Sequence, residues 1–149
     1  MFVVDTNVLV YAANADASRH AAALAVVENL RRSPEPWALS WQIVYEFWRV
    51  VTHPRVLTVP LARADVAAFC EPLLSSPSLH ILVETPRHRE FFARTLAELP
   101  ERAANLAHDA HIVALMREHG VRSIYTADTD FHRFAGIEVV DPLRDEGDD

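Results

Sequence analysis

Short apolar runs alternate along the chain with longer stretches of helical spacing. Phe2-Val3-Val4 reads as a buried strand that runs into Asp5. Residues 17–32 are alanine-rich, with Ser18 placed to cap, and predict a helix that Pro34 and Pro36 close. A second strand is expected over 37–41, followed by helical spacing over 42–52 that ends at His53-Pro54. Further helices are predicted over 62–74, 87–99 and 106–119, the last closed by Gly120 at its C′ position. Strands are expected at 79–83, 123–126 and 137–140. Strands that alternate with helices predict an α/β fold with a parallel sheet covered on both faces. Ligands of such sheets bind at the carboxyl ends of the strands. The polar residues that end the strands are therefore the first to inspect.

Two strands end in acids, the first at Asp5 and the run 123–126 at Thr126-Ala127-Asp128-Thr129-Asp130. Singly, Asp5 and Asp128 also suit a turn or a helix cap. Two helices add inward acids. Glu46 lies three residues after Ile43 and four before Val50, at the edge of the apolar stripe of its helix. Asp109 lies three after Leu106 and four before Val113, within an apolar arc. An unpaired buried carboxylate costs several kcal/mol or neutralises. Arg49 or Arg117 is the ordinary partner for such an acid. A cation bound between the four acids accounts for all of them together. An all-carboxylate set suits a hard ion, Mg²⁺ with Mn²⁺ as substitute. Such a site suits phosphoryl chemistry, in which the ion polarises a phosphodiester and activates water.

Composition narrows the alternatives. All 14 basic residues are arginine, so lysine-dependent phosphate loops and Schiff-base chemistry are excluded. Three glycines cannot form a GxGxxG cradle, and neither HExxH nor GxSxG occurs. The net charge of −7 opposes non-specific coating of a duplex. One cysteine, Cys70, allows no internal disulfide and fits a reducing cytoplasm; its helix makes it a core residue. No apolar run reaches the ~18–20 residues of a membrane span. The start carries no basic leader, and strand residues begin at once. Residues 1–143 are expected to form one domain and 144–149 an acidic tail. His108 and His111 flank Asp109 but face away from it and are expected in solvent. Trp37, Trp41 and Trp48 are expected in the core rather than as base-stacking platforms, with room for one of the three to be exposed.

The opening Val-Val-Asp5-Thr6-Asn7-Val-Leu, the inward Glu46, the Asp109 helix and the stretch Thr126 to Phe131 resemble a PIN-domain ribonuclease. The size, the start and the ending Val139-Val-Asp-Pro-Leu143 resemble VapC-type toxins of toxin–antitoxin pairs. The resemblance implies a three-layer α/β/α sandwich and Mg²⁺-dependent cleavage of RNA. It implies Asp5, Glu46, Asp109 and Asp128 as the acidic quartet. Asp5 and Asp109 would be the direct metal ligands, with Glu46 and Asp128 orienting water or a second ion. Asp130 can share or replace the part of Asp128. Thr6 and Thr126 would hydrogen-bond these carboxylates, and Asn7 would hold the Asp5 loop by its amide. Partners implied are a VapB-type antitoxin, a second copy in a homodimer, and operator DNA only through the antitoxin. A phosphatase of the haloacid-dehalogenase type fails on Asn7, where it needs a second Asp, and on the missing lysine. The remaining alternative is a PIN-like binding module without activity, whose quartet would be broken.

Overall fold

The computed structural model describes residues 1–144; the acidic tail expected beyond Arg144 lies outside them. Five strands form one parallel sheet: β1 (Phe2–Val4), β2 (Trp37–Ser40), β3 (Leu79–Leu82), β4 (Ser123–Tyr125) and β5 (Glu138–Val140), in the order β3-β2-β1-β4-β5. Central strands of a parallel sheet are covered on both faces and read as continuous apolar runs. Accordingly β2 is buried at all four positions, while the edge strand β5 is buried at none. Phe2 pairs with Trp37 on one side and Ser123 on the other, so β1 is the central strand. The chain leaves β1 toward β2 and β3, then returns past it to β4. This reversal opens a crevice at the carboxyl ends of β1 and β4.

Six helices cover the sheet: α1 (Thr6–Ala13), α2 (His20–Arg32), α3 (Trp41–Val51), α4 (Arg63–Leu74), α5 (His88–Leu96) and α6 (Ala107–Glu118). Helix α1 packs against α2 and α3, α2 against α4, and α5 against α6, which gives the three-layer α/β/α sandwich. The core runs through both faces of the sheet, with Val4, Trp37, Phe47, Val113 and Ile124 all excluded from solvent.

Several local expectations need correction. Helix α1 is not among the expected elements, because Val8 to Ala12 is apolar at every position and shows no helical polar stripe. It begins one residue after β1, where Asp5 caps it by accepting from the Thr6 N–H at 2.7 Å. Helix α2 starts at His20 rather than at Ala17, and Ser18 does not cap it. Trp41 opens α3 instead of ending β2, because Ser40 takes the N-cap and accepts from Ile43 N–H at 3.3 Å. The α6 ending follows the expectation. Gly120 has φ +70°, its N–H donates to Arg117 O, and Val121 N–H donates to Met116 O at 2.8 Å.

Candidate active site

The β1 end is fixed by one buried network. Asp5 is 7% exposed, and its backbone N–H donates to Tyr125 O across the sheet. Its Oδ2 accepts from Thr126 Oγ1 at 2.6 Å and from Asn7 Nδ2 at 2.5 Å. Thr126 is fully buried, and its oxygen also accepts from Asn7 Nδ2 at 2.8 Å and from the Asp128 N–H at 2.9 Å. Asn7 Oδ1 in turn accepts from the Ala127 N–H at 3.2 Å. The loops after β1 and β4 are thus bonded into one piece. Beyond them a short 3₁₀ turn (Thr129–Arg133) starts where Asp128 Oδ1 accepts from the Asp130 N–H at 2.8 Å.

The four acids expected at the rim meet in one cavity of about 330 Å³, lined by Asp5, Glu46, Asp109 and Asp128 with Thr6 and Asn7. Glu46 arrives from α3 and lies 3.5 Å from the Thr6 hydroxyl, which donates to it. Asp109 arrives from the first turn of α6. Carboxylate oxygens of Asp109, Asp128 and Asp130 lie within 4.8 Å of one another.

The charges there are poorly compensated. Arg49 stands 3.6 Å from Glu46, and Arg133 pairs with Asp130. Arg117, a candidate partner for Asp109, turns instead to Glu98 at 2.8 Å. Neither Asp5 nor Asp109 has an ion pair among the described residues. Burial raises the Asp5 carboxyl from 3.8 to about 6, against its hydrogen bonds and with added repulsion from Asp128 and Glu46. Burial, then the charges of Asp128, Asp5, Asp130 and Glu46, raise Asp109 to about 7. Carboxylates held together against repulsion, with oxygen the only donor, fit a small divalent cation.

Two expectations about the surroundings fail. Trp37 is buried, but Trp41 and Trp48 are 44% and 50% exposed. They sit on the outward side of α3, where Ile43, Phe47 and Val51 take the core face. His108 is exposed as expected, whereas His111 is half-buried and bonded to both Gln42 and Glu84. Cys70 lies at the core edge, half-buried against Phe47 and Leu73, and burial pushes its thiol upward.

Comparison with known proteins bears on the whole chain. Residues 2–137 match the PIN domain family. The ribonuclease VapC48 of Mycobacterium tuberculosis is 36% identical over 139 residues, covering 93% of this chain and 95% of that protein. Two crystal structures share the fold. The sarcin–ricin-loop-cleaving toxin VapC20 of M. tuberculosis superposes with a TM-score of 0.65 at 22% identity, covering 93% of this chain and 99% of its own. VapBC2 from Rickettsia felis, bound to a promoter DNA fragment, gives 0.66 at 16% identity, covering 93% and 96%. The chain belongs to the PIN-domain family and, within it, to the VapC-type ribonuclease toxins, hydrolases of phosphodiester bonds.

Proposed function

We propose that this chain is a divalent-metal-dependent endoribonuclease and the toxin of a type II toxin–antitoxin pair in the cytoplasm, with residues 1–143 acting as one domain. The observation that carries the reading is the convergence of Asp5, Glu46, Asp109 and Asp128, from four separate elements, on one cavity. Asp109 accepts no hydrogen bond among the described residues, so both its oxygens are open to an ion. Asp5 accepts three, which leaves one lone-pair direction of about four. These two would hold Mg²⁺, or Mn²⁺ in its place, with Asp128 beside them. When bound, the ion polarises the scissile phosphodiester and lowers the pKa of water.

The remaining work falls to the chain. Thr126 and Asn7 fix the Asp5 carboxylate so that it needs no rearrangement on binding. Glu46, tethered by Thr6 and Arg49, orients the attacking water. Asp128 is preferred to Asp130 as the fourth acid. It lines the cavity, while Asp130 is drawn off by Arg133. Hydrolysis adds water across one P–O bond, and the leaving oxygen takes a proton.

An uncompensated acidic cavity also suits inhibition by a VapB-type antitoxin. A guanidinium from the partner would bond the carboxylates bidentately and occupy the place of ion and phosphate. Operator DNA would be bound through the antitoxin. A homodimer fits the outward aromatic side of α3. The test is expression alone, which should arrest growth, and purified protein, which should cut RNA with Mg²⁺ or Mn²⁺. Asp5→Asn should relieve the arrest and slow cleavage by about 10³-fold or more, the scale of several kcal/mol of lost charge stabilisation. Full cleavage in excess EDTA would refute metal dependence. Harmless expression with uncut RNA would leave the inactive binding module.

A further inference from the structure

A second cluster of ligand-type side chains lies apart from the acidic cavity. Glu84 follows β3, His88 opens α5 and His111 sits on α6. Each offers a ligand atom, and the three atoms lie within 4.8 Å of one another. Asp109 is two residues before His111, a spacing that turns side chains to different sides of a helix. The two clusters therefore share α6 but no ligand residue, and Glu46 stands between the acidic cavity and the groove beside Glu84 and His111.

The surrounding hydrogen bonds decide which ring nitrogens are free. Glu118 has a side chain only 1% exposed, held by Thr85 N–H and hydroxyl, and its Oε2 lies 2.8 Å from His88 Nδ1. A carboxylate only accepts, so His88 Nδ1 donates to it, which leaves Nε2 as the ring nitrogen that can face a metal. Gln42 Nε2 donates to the His108 carbonyl and lies 2.7 Å from His108 Nδ1. Its Oε1 therefore faces His111 Nδ1, which must donate. The other nitrogen, His111 Nε2, stands 2.8 Å from Glu84 Oε1. Two histidines, each donating its far N–H to an acceptor, with a carboxylate between them, form the oriented ligand set of a zinc site.

We propose that Glu84, His88 and His111 bind Zn²⁺ through Glu84 Oε and the two Nε2 atoms. Imidazole nitrogen selects Zn²⁺ over the Mg²⁺ preferred by the all-carboxylate cavity. Ligand atoms of a tetrahedral zinc stand about 3.3–3.5 Å apart. Glu84 Oε1 and His111 Nε2, now 2.8 Å apart, would part slightly to admit the ion, and the Glu84 side chain, 53% exposed, is free to move. Three protein ligands leave a fourth position open. Glu84 and His111 line a groove of about 510 Å³ with Trp41, Tyr45 and Arg49, so that position faces the groove. The ion would tie the segment after β3 and the start of α5 to α6, the helix that carries Asp109.

The test titrates ZnCl₂ into metal-free, full-length protein by calorimetry, in an Asp109→Asn background that weakens the acidic cavity. One equivalent should bind and raise the melting temperature. Adding Glu84→Gln, an exposed replacement that leaves the fold intact, should weaken binding by about tenfold or more. Glu118→Gln should weaken it about 10–100-fold, because Glu118 holds both His88 and the Thr85 beside Glu84. No zinc uptake in the Asp109→Asn protein, or uptake that Glu84→Gln leaves unchanged, would overturn the site. The first result would leave a histidine–carboxylate chain holding only protons. Either result leaves the ribonuclease reading standing.

Discussion

Removing the charge of Asp109 should stabilise the metal-free protein at alkaline pH while abolishing its activity. The carboxyl titrates near 7 in the fold and at 3.8 as a free side chain. Between those values the folded state holds more protons than the unfolded one, so stability falls as pH rises through the window. At about 1.36 kcal/mol per pH unit the full difference is about 4 kcal/mol above pH 7. Asp109 is only half-buried and shares its repulsion with four neighbours, so solvent screening reduces this to about 1–2 kcal/mol. Asparagine also forfeits an acid in the first turn of α6, against about 0.3–1 kcal/mol of helix-dipole stabilisation. The net gain is about 1 kcal/mol, or about 2–4 °C for a domain of this size. Thermal melts in EDTA should show Asp109→Asn melting higher than wild type at pH 8. At pH 5 the gap should shrink to less than half, and it should close only below about 3.8, where the unfolded carboxyl is protonated too. An Asp109→Asn protein that melts lower at pH 8, or by the same margin at both pH values, would refute an electrostatically strained carboxylate.

Three further outcomes follow from the same geometry. Mg²⁺ or Mn²⁺ at about 100 times its Kd should add about 2.7 kcal/mol to stability, read as a rise in melting temperature that Asp5→Asn reduces. Thr126→Val strips a buried oxygen of one donated and two accepted bonds, leaving Asn7 and Asp128 N–H unsatisfied. It should cost about 2–4 kcal/mol in denaturant melts and lower kcat, whereas Thr126→Ser should restore most of both. Light scattering at tens of micromolar should give twice the monomer mass, and Trp48→Glu on the exposed side of α3 should shift it toward monomer.

What was legible in the chain depended on whether a residue's position followed from its own element. Asp5 and Asp128 stand after apolar strands, so one parallel sheet puts them at one rim. Glu46 and Asp109 are given by helical phase against Ile43 and Val113. Helix α1 is hidden because Val8 to Ala13 is apolar at every position and shows no polar stripe. Trp41 and Trp48 were misjudged because hydrophobicity predicts burial only on average, whereas their phase on α3 points outward. The bonds between His88 and Glu118 and between His111 and Glu84 span 30 and 27 residues. Neither has a local spacing signal. Asp109 was visible as an inward acid, but Asp130, within reach of it, was only an alternative to Asp128.

The central place of β1 also has a consequence for synthesis. The first residues made become the middle of the sheet, yet they pair on one side with β4, some 120 residues later. Thr126 reaches Asp5 across 121 positions, and Asp109 and Asp128 come from the last third of the chain. A ribosome adding about 5–20 residues per second releases these elements last. Until β4 emerges and pairs, Asp5 lacks the hydroxyl that holds it and the two acids that complete its cavity. A nascent or truncated chain that lacks β4 therefore has no assembled acidic cavity, whatever the rest of it has already folded into.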